Sequence, residues 1–202
     1  MGQKVIRVSQ GSPVVFLVVG FFAVCTAQPA EIASLSVERD KGRIYISADI
    51  VIAAPRSDVF AALSDYDRFS ELSDRYVESR FTEPAEDGTP RIYTVVEGCI
   101  LFFCRKVKRH ARLELNENES LVTIAEPENS DLEYGREEWL LESVPDGTRI
   151  LYTHVMDPDF WVPPVIGIWA IRRALNNDAL TSARRVEKMA LEGATPGPDS
   201  IP

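Results

Sequence analysis

Soft metal ligands are scarce in this sequence: 2 histidines and 3 cysteines among 202 residues. A tetrahedral site needs four converging ligands, and His110 and His154 lie far apart, so no metal centre is expected. Cationic charge is scarce too, with 22 Lys+Arg against 31 Asp+Glu and a formal net charge of -9. An acidic chain gains nothing from releasing counterions from phosphates, which excludes nucleic acid as the expected partner. Anionic membrane surfaces repel it for the same reason. A GxSxG elbow, a glycine-rich phosphate loop and an HExxH helix are all missing, and no cofactor is expected. No repeat of 20–50 residues shows itself.

Acidic residues are absent before Glu31, while Lys4 and Arg7 make a short positive start. The apolar run Val14–Ala27 follows. It is shorter than the ~20 residues a membrane span needs and suits the core of a secretory signal. Small residues at Thr26 and Ala27 predict cleavage near Ala27, giving an exported, periplasmic or secreted protein with no stable membrane span afterwards. An uncleaved anchor is the alternative, and Val24 argues against acylation of Cys25. Loss of residues 1–27 removes Lys4 and Arg7 and takes the formal charge from -9 to -11. Cys99 and Cys104 then remain, flanking Ile100–Phe103 between two strand-like runs. An oxidising compartment permits a disulfide across that hairpin, and two buried thiols are the alternative.

Residues 28–42 read as a linker, and a domain is expected over 43–192 with a disordered tail at 193–202. Arg43–Ile52 alternates with period two and predicts a strand. Pro55 opens a short helix through Leu63, and a second is expected near 67–73. Strands are expected near 75–82, 90–98, 104–115, 120–126, 132–144 and 148–157, divided by turn residues such as Pro145-Asp146-Gly147. Val165–Leu191 carries apolar residues at helical spacing with arginines opposite, which predicts one long amphipathic helix. The fold class is therefore α+β, a curved seven-stranded antiparallel sheet around a C-terminal helix. One helix cannot fill the concave face of such a sheet, so a cavity is expected between them.

The stretch Ile50-Val51-Ile52-Ala53-Ala54-Pro55-Arg56-Ser57-Asp58-Val59-Phe60, running on to Asp65-Tyr66, is similar to the opening motif of the START-like superfamily, also called SRPBCC. Trp161-Val162-Pro163-Pro164 leading into the long helix fits the same pattern. Over roughly residues 43–191 the chain resembles the polyketide cyclase/dehydrase and lipid transport branch of that superfamily. The resemblance implies the helix-grip fold and says little about chemistry, because members include carriers, receptors and enzymes.

An apolar cavity implies a hydrophobic small-molecule ligand: a lipid, a quinone or a polyketide-like compound. Candidate lining residues are Ile166, Trp169 and Leu175 on the helix, and Val96, Leu113, Thr123, Trp139 and Tyr152 on the strands. Trp161, Pro163 and Pro164 form either a lip of the cavity or a rigid turn. Arg109 shares strand parity with Val107, Ala111 and Leu113, and Arg136 with Tyr134, Glu138 and Leu140. An inward charge must be paired or hydrated. Each arginine therefore anchors a ligand carboxylate or phosphate, closes an ion pair with Glu97 or Glu138, or stands exposed. His154 is the acid–base candidate should the protein be a cyclase-, dehydrase- or hydrolase-type enzyme, though it has no assignable partner. His110, among Lys106, Lys108 and Arg112, belongs to a solvated face. A protein-interaction module with a filled cavity is the remaining possibility.

Overall fold

The computed structural model describes residues 29–100, 103–163 and 166–193. The expected export signal at 1–27 and the tail from residue 194 lie outside the described residues. Eight strands form one antiparallel sheet: β1 (Glu31–Asp40), β2 (Arg43–Ile52), β3 (Tyr76–Thr82), β4 (Arg91–Ile100), β5 (Phe103–Asn116), β6 (Ser120–Ala125), β7 (Leu132–Val144) and β8 (Gly147–Pro158). Their order across the sheet is β1-β2-β8-β7-β6-β5-β4-β3. Helix α1 (Arg56–Ser64) and a single 3₁₀ turn, Phe69–Glu71, interrupt the strands after β2, and α2 (Ile166–Gly193) is the last element of the described residues.

The sheet has one strand more than expected. Residues 31–40 are not linker but β1, paired with β2 through the two-residue loop Lys41-Gly42. Both loop residues have positive φ, 49° and 96°, the conformation that lets a two-residue turn follow the twist of its strands. A bulge between Ile32 and Ser34 breaks the alternation of β1 and hides its period from a linear reading. Gly193, expected in the tail, is the last residue of α2.

Period-two alternation sets which side chains face α2. On β2, Ile44, Ile46, Ala48, Ile50 and Ile52 lie opposite Met156, His154, Tyr152, Ile150 and Thr148 of β8. The row continues through Gly135, Glu137, Trp139 and Leu141 of β7, and Leu121 and Thr123 of β6. It ends with Arg109, Ala111 and Leu113 of β5 and Thr94 and Ile92 of β4. Most of this face is apolar, and it buries itself in two clusters. The larger joins Ile52, Val59, Leu63, Phe69, Ile92, Leu113, Leu121 and Ile150 to Ala183, Val186 and Met189 in the second half of α2. The smaller packs Val37, Ile44 and Ile46 against Ile168, Ile171 and Leu175 in its first half.

Polar contacts fix α2 over the sheet. The Arg172 guanidinium donates to the Val37 carbonyl at 2.7 Å, and Arg39 donates to the Val162 carbonyl at 2.8 Å. Glu187 accepts from the Ala53 backbone N–H at 2.9 Å. Arg185 grips Asp74 with two bonds of 2.7 and 3.0 Å, and Arg75 pairs with Asp178. Among the described residues no helix is long and apolar enough to cross a membrane.

Candidate functional site

Between the two apolar clusters the concave face turns polar. Arg109, on β5, is 7% exposed and Glu137, on β7, is 1% exposed. Arg109 Nη1 donates to Glu137 Oε2 at 2.8 Å. Thr123 Oγ1, on β6 between them, donates to the same oxygen at 3.1 Å, and Thr94 Oγ1 accepts from Arg109 Nε at 3.3 Å. The second carboxylate oxygen, Oε1, accepts from the Tyr152 hydroxyl at 2.9 Å. Five strands thus contribute one side chain each to a buried network, because alternate residues of neighbouring strands share a face.

Aromatic rings surround the pair. Trp139 lies 4.3 Å from Tyr152 and 6.4 Å from Phe69, measured between ring centroids. Phe69 stacks on Tyr66 at 4.6 Å and meets Tyr76 edge-on at 5.1 Å. The His154 ring stands 6.4 Å from Tyr152. The 3₁₀ turn, closed by the Leu72 N–H on the Phe69 carbonyl, carries the Phe69 ring, and Tyr66 in the segment before it is tied to β3 by the Ser79 hydroxyl, which donates to its carbonyl at 2.6 Å.

Burial opposes the charge on Glu137, but the Arg109 guanidinium and the Tyr152 hydroxyl outweigh it and hold the carboxyl down at about 2. Burial pushes His154 the other way for a base, down to about 4, so the imidazole is neutral at physiological pH. Burial, helped by the Glu137 charge, raises Tyr66, Tyr76 and Tyr152 above the ordinary phenol range, and all three keep their protons. One cation and one anion therefore cancel inside a shell of neutral polar groups.

Four buried polar atoms of this patch have no hydrogen-bond partner among the described residues: Tyr66 Oη, Arg109 Nη2, Trp139 Nε1 and His154 Nε2. Buried polar groups in folded proteins are nearly always paired, so four such atoms in one place need an explanation. A separate cleft of about 490 Å³, lined by none of the patch residues, runs between the first half of α2 (Trp169, Ala170, Arg173, Ala174, Asn177) and Arg75 with Cys99 at the tip of the β4–β5 hairpin. Cys99 and Cys104 face each other across that hairpin with Cα atoms 4.0 Å apart and are joined by a disulfide. Among the described residues no group of three or more metal-ligating side chains occurs.

Of the residues singled out in the sequence, Arg109, Trp139, Tyr152 and His154 come together in the patch. Arg136 does not. It lies on the opposite face of β7, half-exposed and paired with Glu138. Tyr134 and Leu140, which made that parity look inward, are themselves exposed at 36% and 39%. The partner of Arg109 is correspondingly neither Glu97 nor Glu138 but Glu137. Trp169 is 54% exposed and lines the cleft rather than the interior. Ile166 begins α2, and its side chain lies outside the described residues. Trp161 is 78% exposed in the segment before α2.

Sequence reasoning missed Glu137, Thr94, Tyr66 and Tyr76. The period of β7 contains the signal for Glu137, since Gly135, Trp139 and Leu141 share its parity. Tyr66 sits inside the opening motif, but nothing in a linear reading brings it to strands that begin at residue 76.

The same fold occurs in solved structures of low sequence identity. The aromatase/cyclase Zhui from Streptomyces sp. R1128 superposes with a TM-score of 0.57 at 11% identity, over 77% of this chain and 98% of that one. TTHA0849 from Thermus thermophilus gives 0.55 at 15% identity, over 75% and 99%. A START superfamily protein from Mycobacterium smegmatis gives 0.54 at 14% identity, over 74% and 99%. A comparison with curated proteins finds no match. The family model described as polyketide cyclase / dehydrase and lipid transport matches residues 43–187, from the start of β2 into the last turns of α2. With that match over most of the domain, and the helix laid across the sheet as described, the chain belongs to the polyketide cyclase / dehydrase and lipid transport family.

Proposed function

We propose that the protein is an exported, non-catalytic carrier for a hydrophobic small molecule (a lipid, a quinone or a polyketide-like compound) held between the sheet and α2. The observation that carries this reading is the set of four buried polar atoms without partners among the described residues, placed between two apolar clusters. Binding sites for small molecules have this composition: an apolar wall with a few oriented polar groups. Leaving such atoms unpaired costs stability, about 1–3 kcal/mol each, and a ligand that pairs them recovers the loss. The cleft beside Cys99 and Trp169 has the volume of a route or a pocket for such a molecule.

The chemistry of the patch favours holding over reacting. Glu137 has both oxygens occupied by Arg109, Thr123 and Tyr152, so it is not a free base. His154 lacks a carboxylate to orient it: Glu137 is its cross-strand neighbour, yet bonds elsewhere. One observation favours an enzyme of the cyclase or dehydrase type, namely that Tyr66 Oη and His154 Nε2 are both unpartnered acid–base groups. Native mass spectrometry of the purified mature protein tests the carrier reading. A copurifying apolar molecule in one-to-one ratio is expected. A protein that stays ligand-free after incubation with membrane lipids and quinones would overturn it. Turnover of a polyketide-like substrate that a His154→Ala variant loses, with its affinity intact, would favour the enzyme.

A further inference from the structure

Each unpartnered atom of the patch can donate a hydrogen bond, and two of the four can do nothing else. Arginine and tryptophan nitrogens can only donate, the tyrosine hydroxyl donates or accepts, and a neutral histidine offers one nitrogen for each role. Arg109 Nη2, Trp139 Nε1 and Tyr66 Oη therefore present N–H or O–H groups, and His154 Nε2 adds a fourth in the matching tautomer. The buried carboxylate is already engaged: Glu137 Oε1 by Tyr152, Glu137 Oε2 by Arg109 and Thr123. What the patch lacks is an acceptor oxygen.

It does not lack negative charge. Arg109 is neutralised by Glu137 at 2.8 Å, and among the described residues no second buried cation stands by. A ligand carboxylate brought to Arg109 Nη2 meets the Glu137 charge on the same guanidinium and gives up its hydration as well. Removing an ionised carboxylate from water without a countercharge of its own costs far more than burying a carbonyl. Resting on the carrier reading, we infer that the site selects an uncharged apolar molecule bearing a hydrogen-bond-accepting oxygen, such as a ketone, quinone or ester, over a free carboxylate of equal length.

Calorimetric titration of the ligand-free protein with methyl dodecanoate, dodecanoate and dodecane at neutral pH tests this. The ester is expected to bind about tenfold tighter than dodecane, the effect of a hydrogen bond to a waiting donor, and at least about tenfold tighter than dodecanoate. In the unmodified protein, carboxyl-labelled dodecanoic acid followed by carbon NMR is expected to titrate above its free value when bound. In Glu137→Gln, Arg109 loses its counterion and dodecanoate is expected to overtake the ester. Equal or tighter binding of dodecanoate by the unmodified protein, or a bound carboxyl that titrates lower than the free acid, would overturn the inference while leaving a carrier. If none of the three binds, nor any apolar compound, the carrier reading falls and the selectivity with it.

Discussion

Glu137 and Glu138 are adjacent in sequence and opposite in environment, which makes them a matched pair for experiment. Glu137 is 1% exposed and holds Arg109, Thr123 and Tyr152. Glu138 is paired with Arg136 at the surface, its side chain 36% exposed. Substituting Glu137→Ala strands a buried guanidinium and two hydroxyls; breaking a buried pair in this way costs about 3–5 kcal/mol. For a domain of this size each kcal/mol lowers Tm by ~2–4 °C, so a fall of roughly 6–20 °C is expected. Glu138→Ala removes an exposed pair and costs no more than about 1 kcal/mol. Replacing both partners, Arg109→Met with Glu137→Leu, removes the charge pair but still leaves the Thr123 and Tyr152 hydroxyls without their acceptor, and stability is expected to fall by less than for Glu137→Ala.

Urea unfolding measures all three variants. The acid limb adds a sign. Glu137 titrates at about 2 in the fold against an ordinary 4.5, so its contribution is complete above 4.5 and is lost as pH falls toward 2. The apolar double variant should lose less stability over that interval than the parent. Equal costs for Glu137→Ala and Glu138→Ala would refute the reasoning, because they would mean that burial of the inner pair has no energetic consequence.

His154 titrates at about 4 in the fold against an ordinary 6.5, so the unfolded chain takes up its proton first and stability drops as pH falls from 6.5 toward 4. His154→Gln is expected to flatten that slope in chemical denaturation at graded pH. Cys99→Ser with Cys104→Ser is expected to cost about 2 kcal/mol from the short loop that the bond closes, and neither position should be alkylatable in the unreduced protein. Gly147 has φ +143°, and a Cβ there would meet the Ile52 carbonyl oxygen at 2.1 Å. Gly147→Ala is therefore expected to destabilise by at least about 2 kcal/mol in thermal unfolding, the scale of a forced backbone outlier plus a clash. N-terminal sequencing of the exported form should begin near Gln28.

Local patterns were the legible part of this fold. Six strands from residue 76 onward and the long helix follow from alternation, turn residues and helical spacing, all of which act within a few positions. Features set by distant packing were less legible. The bulge at Ile32/Ser34 disguised β1 as linker. In β7 the residues Tyr134 and Leu140 gave Arg136 an apolar company that the fold leaves partly in water, while Glu137, between Arg136 and Glu138, looked like one more surface charge. Arg109 was recognised as inward because its own strand keeps strict parity with Ala111 and Leu113, but its partner lies two strands away. Tyr66 illustrates the limit: its place depends on contacts with Phe69 and with Ser79 of β3, a strand formed later in the chain.

The order of the sheet has a consequence for how the protein must be made. β2 is hydrogen-bonded to β8, with Ile44 beside Met156, so the first hairpin has no neighbour on its inner edge until the last strand exists. A chain emerging from its N-terminus shows β1 and β2 as a bare two-stranded ribbon, which is at best marginal in water. The Arg109–Glu137 pair is likewise incomplete until β7 has emerged, which leaves an unburied guanidinium on a nascent sheet. Closure is therefore a late event that draws the two ends of the domain together in one step, with the high contact order that slows folding to milliseconds or seconds. Under the export we propose, this order is an advantage: nothing N-terminal locks into a finished structure while the remainder is still in transit.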